Sequence, residues 1–289
     1  MKDVVTRFAP SPTGRLHLGH GYSALLAHRF ARERGGMFLL RIEDIDPGRT
    51  RIEHVDAIME DLVWLGLTFD GEIVYQSERL PLYAQALERL KAQGLVYPCF
   101  CTRAAIAAEV AASASAPHGP DGPHYLGTCR RLSEGERVSR MRSEPHAWRL
   151  DVAKASALAG TLCWFDHETE VRAEPEAFGD VVLARKDAPV SYHLAVTVDD
   201  AAQGVTDVVR GRDLFAASHV HRLLQHLLDL PVPRYHHHPL LTGPDGQRLA
   251  KRHGAPTLSS LGEAGVDGHK LAADLLAGRL PAGYSASGA

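Results

Sequence analysis

No apolar run in this sequence approaches the ~18 residues that a membrane-spanning helix needs, and no basic-then-apolar leader opens it. A membrane span and a secretory signal are therefore not expected, and the chain reads as cytoplasmic. Cysteine is scarce, with four in 289 residues, at 99, 101, 129 and 163. Cys99 and Cys101 are too close for an easy disulfide, so a metal or free thiols are the remaining readings. An excess of positive charge is also missing: the net charge is -3. A nucleic-acid partner would need a local basic patch. What is present suits a soluble globular protein of one large or two modest domains, 45% hydrophobic and 23% charged. Most of the seventeen histidines are read as surface residues.

The chain is organised around residues 7–21, RFAPSPTGRLHLGHG. A β-branched run, Val4-Val5-Thr6, precedes this stretch, and the alanine- and leucine-rich SALLAHRFARER follows it. Strand, proline/glycine turn and a helix opening on small residues form an anion cradle of free N–H groups and a positive dipole end. His17 and His20 would stand beside that anion as donors. After Gly35-Gly36, MFLLRIEDID (37–46) reads as a buried parallel strand with Arg41, Glu43, Asp44 and Asp46 at its carboxyl end. Ligands sit at such ends in open α/β sheets, which places Glu43 near the 7–21 loop. Helices are predicted over 51–66, with Ile52, Val55, Ile58, Met59, Leu62 and Val63 at helical spacing, and over 81–93, with Leu82, Ala86, Leu87 and Leu90 inward. Trp64, Leu65 and Leu67 are read as core. The alternation predicts an α/β fold with a doubly wound parallel sheet.

From Tyr97 the texture changes to YPCFCTR, an alanine/serine stretch, and PHGPDGPHYLGTCRR. Cys99, Cys101 and Cys129 surround a polar, proline- and glycine-rich loop that tetrahedral zinc could staple. His124, His118 and Tyr125 are open alternatives for a fourth ligand. Cys163, in TLCWF, reads as a small core residue. Residues 130–150 form the most basic segment and suit a phosphate backbone. Strands are expected over 181–187, 189–200 and 204–211, with Tyr192 and Arg210 at strand ends, a pair suited to a carboxylate. In 189–200, alternation would set Tyr192, Leu194, Val196 and Val198 opposite His193, Ala195 and Thr197. A helix follows over 213–230. His236 to His238 would point alternately apart, so no metal is expected there. Arg248, Lys251 and Arg252 follow a glycine-containing turn and make a basic loop able to clamp phosphates. One helical piece (HKLAADLLAGRL) and a frayed end are expected in the tail.

RFAPSPTGRLHLGHG, RIEDID, the SYHLA tyrosine, the RGRDL arginine and RLAKR, in this order, resemble the class I glutamyl-tRNA synthetases over about residues 3–255. HLGH at 17–20 matches the HIGH-type ATP motif, and RLAKR at 248–252 matches the KMSKS-type loop, with Arg248 where Lys is usual and Ala250 where Ser is common. The resemblance implies a Rossmann-type catalytic domain in two parts, 1–98 and 180–255. A zinc-containing α+β insertion (99–179) would separate them, with a short helical tail (256–289) after them. It implies a glutamate site of Arg7, Phe8, Ala9, Pro10, Ser11, Glu43, Tyr192 and Arg210. Glu43 would pair with the substrate ammonium and Arg210 with the side-chain carboxylate. It implies ATP contacts from His17, Gly19, His20, Arg248 and Lys251, with His17, His20 and Lys251 catalytic, and Mg²⁺ arriving with ATP. The pattern Cys99, Cys101, Tyr125, Cys129 resembles the zinc site of the truncated paralogues, the glutamyl-Q tRNA(Asp) synthetases. Only 37 residues follow Arg252, which leaves no room for the long anticodon-binding region of a glutamyl-tRNA synthetase. Both features imply a monomeric ligase that activates L-glutamate without tRNA and transfers it to queuosine in tRNA(Asp). The alternatives are a minimal enzyme charging tRNA(Glu) and a non-catalytic nucleotide- or RNA-binding protein.

Overall fold

The computed structural model describes residues 3–112, 118–119, 122–244, 249 and 256–287. The first strand, β1 (Val5–Phe8), runs through a proline/glycine loop into α1 (Leu18–Arg32) and returns as β2 (Met37–Ile42), parallel to β1. At Gly36 a Cβ would sit 2.2 Å from the Val4 carbonyl oxygen, so this return passes too close to β1 for any side chain. Next come α2 (Ile52–Trp64), β3 (Val74–Tyr75), parallel to β2, and α3 (Leu80–Ala92). Phe8, Leu25, Phe38, Leu40, Ile58 and Leu62 lie in the core between these layers. Val55, Ile58 and Leu62 are buried, but Ile52 and Val63 are 77% and 64% exposed. Ile52 is the first residue of α2, and Val63 lies about 100° round the helix from Leu62, off the packed face. Leu65 and Leu67 are buried and Trp64 is half-buried.

The middle of the chain holds β4 (Val96–Cys99), α4 (Arg103–Ala112), a small hairpin of β5 (His118–Gly119) and β6 (Gly122–Pro123), α5 (Glu134–Met141), β7 (Ala147–Leu150) and α6 (Val152–Ala159). Then come β8 (Cys163–Asp166), β9 (Thr169–Arg172) and β10 (Val182–Ala184). β7 lies between β4 and β10, antiparallel to both. The last third comprises α7 (Tyr192–Ala202), β11 (Asp207–Gly211), α8 (Ala217–Leu227), β12 (Arg234–His238), β13 (Leu240–Thr242), α9 (Leu258–Glu263), α10 (Gly268–Leu276) and β14 (Ser285–Ser287). β11, β12 and β8 pair in parallel, with β9 antiparallel at the edge. Thr206 N donates to Val5 O at 3.0 Å, which sets the foot of β11 beside β1 and joins the two parallel sets.

Three expectations fail. Residues 192–202 are a helix, not a strand. Every residue from Leu194 to Asp200 is buried, so no exposed face imposes a 3.6-residue period, and the apparent alternation is accidental. The tail does not fray: β14 pairs with β13, Thr242 opposite Ser285, and the two side-chain hydroxyls lie 2.7 Å apart. Of the fifteen histidines whose side chains are described, only three (167, 226 and 269) are exposed and five (17, 221, 236, 237 and 238) are buried, because the fold supplies polar partners for the buried ring nitrogens. No helix among the described residues is long and apolar enough to cross a membrane.

Candidate functional site

A cavity of about 560 Å³ opens at the carboxyl ends of β1, β2 and β11. Its walls include Arg7, Phe8, Ala9, Pro10, Ser11, His17, Gly19, His20, Glu43, Tyr192 and Arg210. These are all the candidate glutamate and ATP residues that the structure describes. Arg248, Lys251 and Ala250 lie outside the described residues. Of that loop, Leu249 reaches the cavity wall.

At one end, His17 is the N-cap of α1. Its Nδ1 accepts the Gly19 N–H at 3.1 Å, and His20 Nδ1 accepts the His17 N–H at 3.1 Å. The two rings stack with centroids 3.7 Å apart. A nitrogen that accepts carries no proton, so each neutral ring holds its proton on Nε2, the donor form an anion requires. A Cβ at Gly19 would lie 3.1 Å from His17 Cε1, so a side chain there would press the imidazole aside by a few tenths of an ångström.

At the other end stands Arg7, with Arg41 buried behind it on the adjacent strand. Arg7 donates to both oxygens of Asp200, at 3.0 and 3.4 Å. Arg41, fully buried, donates to Asp200 at 2.8 Å and to Gln203 at 2.8 Å, and reaches Glu43 at 3.4 Å. Beneath them Asp199 accepts from Gln76, Arg79 and Tyr83 at 2.7–2.8 Å. Burial raises the Glu43 carboxyl above its ordinary value against the pull of Arg41 and Arg7. Such a carboxylate gains from an incoming cation. Arg210, only 4% exposed, has no carboxylate within ion-pair distance among the described residues. Tyr192 opens α7 rather than ending a strand, and its hydroxyl lies 3.5 Å from Arg210 Nη1. Burial raises its phenol, which stays a neutral donor.

Asp199, Asp200 and Gln203 escape a motif search. Their signal is two adjacent carboxylates inside the apolar run AVTVDDA, which must bury a counter-charge.

Cys99, Cys101 and Cys129 place their sulfurs within 4.8 Å of one another. Tyr125 Oη lies 3.6 Å from Cys101 Sγ and accepts the Cys129 N–H at 2.7 Å. His124 turns away, donating from Nε2 to Ala177 O at 2.6 Å. The His118 side chain lies outside the described residues. Three thiols and a phenol oxygen around one point fit the donor set of a tetrahedral zinc. Cys163 is half-buried in β8, away from this cluster. In the His236–His238 run the three rings bond separately to Asp207, Asp166 and Ser23. Three arginines of the basic segment 130–150 are engaged within the protein: Arg130 pairs with Asp180 at 3.0 Å, Arg140 with Glu144 at 2.8 Å, and Arg149 lies over the Tyr125 ring.

Residues 3–272 match the family model described as tRNA synthetases class I (E and Q), catalytic domain. A Rhodobacter capsulatus protein named glutamyl-Q tRNA(Asp) synthetase is 50% identical, covering 89% of this chain and 94% of its own length. Its Deinococcus radiodurans namesake is 47% identical, at 94% and 88% coverage. A glutamate–tRNA ligase of Oleidesulfovibrio alaskensis is 41% identical over 92% of this chain, but the match takes in only 55% of its own length. Among solved structures, a glutamate tRNA ligase from Elizabethkingia meningosepticum in complex with its amino acid superposes with a TM-score of 0.72 at 29% identity. The match covers 88% of this chain and 53% of that one, so the chain spans about half the length of the solved protein. With its cavity at the mouth of a parallel sheet and a family match over nearly its whole length, this chain belongs to the class I tRNA synthetases of the E and Q type, which are ligases.

Proposed function

We propose that the chain activates L-glutamate with ATP and transfers it to queuosine in tRNA(Asp), with activation independent of tRNA. The observation that carries the amino-acid part is Arg210, a buried guanidinium at the cavity wall with no carboxylate in ion-pair distance among the described residues. A side-chain carboxylate completes it, Tyr192 adds a neutral donor, and Glu43 takes the ammonium. Arg7, Phe8, Ala9, Pro10 and Ser11 line the same end. His17 and His20 meet the ATP phosphates beside Gly19, and Lys251 with Arg248 supplies further positive charge. Phosphate-bound Mg²⁺ adds further neutralisation. The glutamate α-carboxylate attacks the α-phosphorus and pyrophosphate leaves. The attacking group is already ionised at neutral pH, so the protein's part is positioning and charge stabilisation rather than base catalysis. The tRNA(Asp) part rests on likeness: relatives matched over nearly their whole length carry that name, whereas the glutamate–tRNA ligase is matched over about half. The two catalytic segments, 1–98 and 180–255, flank an insertion that presents the thiol cluster.

The test is labelled-glutamate transfer to queuosine-containing tRNA(Asp) and to tRNA(Glu). Charging of tRNA(Glu) alone would refute the acceptor. Absence of glutamate-dependent ATP–pyrophosphate exchange would refute the enzyme. Cys99, Cys101, Cys129 and Tyr125 hold one structural zinc in this reading. Elemental analysis of purified protein should give about one zinc per chain, and Cys129→Ala should release it and loosen the insertion before the sheet.

A further inference from the structure

Behind Arg210 the fold builds a relay that the amino-acid site does not itself touch. Arg210 on β11 and His237 on β12 are register partners on neighbouring parallel strands. Arg210 Nε donates to His237 Nε2 at 3.2 Å, and His237 Nδ1 lies 2.9 Å from Asp166 Oδ1 at the end of β8. Asp166 also accepts the His237 backbone N–H at 3.0 Å. A guanidinium N–H can only meet a lone pair, so Nε2 is unprotonated and Nδ1 carries the proton toward Asp166. The ring meets Trp164 and Phe215 edge to face, with centroids 5.9 and 5.2 Å away. Burial, then Arg210 itself, pushes the imidazole down to about 3, so it is neutral in ordinary buffers.

Arg210 Nη2 is likewise committed, donating to Ser218 Oγ at 2.8 Å and to Leu214 O at 3.1 Å. Among the described residues, the Nη1 end meets only the Tyr192 hydroxyl, at 3.5 Å, and faces the cavity for a ligand. The groups holding the guanidinium are thus neutral acceptors, while Asp166 stands one imidazole away. A carboxylate directly on Arg210 would fix it equally well but would compete with the substrate for its charge.

We propose that His237, locked in one tautomer by Asp166, is a positioning residue. It aims Arg210 at the substrate side-chain carboxylate while leaving its charge unspent, and so sets the preference for glutamate over glutamine. The proposal rests on the reading that Arg210 binds that carboxylate.

The experiment is glutamate-dependent ATP–pyrophosphate exchange with the full chain carrying His237→Met, His237→Gln, Asp166→Asn or Arg210→Met. The glutamate KM of His237→Met should rise about 10- to 100-fold, the scale of a misaimed contact. Its ATP KM should stay within about two-fold, and its glutamate-over-glutamine ratio should fall. His237→Gln, whose amide oxygen can stand near the lost Nε2, should recover most of the loss, and Asp166→Asn should fall between. An unchanged glutamate KM in folded His237→Met, a parallel rise in both KM values, or no rescue by Gln overturns the proposal. If His237→Met does not fold, Asp166→Asn decides alone, and an unchanged glutamate KM there overturns it. Should Arg210→Met leave the glutamate KM unchanged, the underlying reading of the site falls. A rise in Arg210→Met without one in His237→Met sinks only the relay.

Discussion

The two arginines at the amino-acid end of the cavity come from adjacent strands and are supported in opposite ways. Arg7 is neutralised by Asp200, which it shares with the fully buried Arg41. Arg210 is held by an imidazole, a hydroxyl and a carbonyl, all uncharged. The first arrangement stabilises the fold, because each buried charge has its partner without any ligand. The second keeps a positive charge available at a stability cost, since a desolvated cation without a counter-ion waits for one to arrive. A site built from two saturated arginines would grip an acidic substrate weakly, and one built from two bare ones would strain the sheet.

The sharpest way to break this comparison is Arg210→Met. It should raise the glutamate KM about 100-fold or more, a loss of about 3 kcal/mol of charge pairing, while leaving denaturant stability unchanged or slightly higher. Equal losses of affinity and stability would erase the distinction. On the other flank, Asp200→Asn should do the reverse, lowering unfolding stability by about 3 kcal/mol, with a smaller effect on glutamate KM. Burial pushes the Asp200 carboxyl up, yet Arg7 and Arg41 together hold it below the usual carboxylate range. Its contribution is therefore present above about pH 4 and lost only as pH falls further, so the variant and the wild type should converge in acid.

The smallest effect concerns Asp61 on α2, an acidic counterpart of Arg210. Its Oδ2 is buried without a hydrogen-bond partner among the described residues, and burial pushes its pKa to about 6. A raised carboxyl destabilises the fold as pH climbs through that value. Asp61→Asn should raise Tm by a few degrees at pH 8 and by nothing near pH 4, as read by thermal melts.

Much of this was legible in the chain. The proline/glycine loop with its two histidines, the apolar strand ending in Glu43, and the pair Tyr192 and Arg210 all reach one cavity. Local chemistry sufficed because loops at strand ends are built from residues with distinctive backbone needs. Residues 192–202 were misread for the opposite reason: a helix buried on every side has no polar face to reveal its period. The pairing of β14 with β13 was equally hidden, since short polar serine-rich segments carry no hydrophobic pattern that marks a strand.

By itself the sequence determined the kind of protein, an α/β chain whose first strand runs through a proline/glycine loop into a helix, because that rests on residues close together in the chain. Only the tertiary structure decided how charge is distributed around the cavity. Asp200 meets Arg7 across 193 positions and Asp166 meets His237 across 71. Contacts at such distances follow from strand order and register, and a buried charge finds its partner in space rather than in sequence.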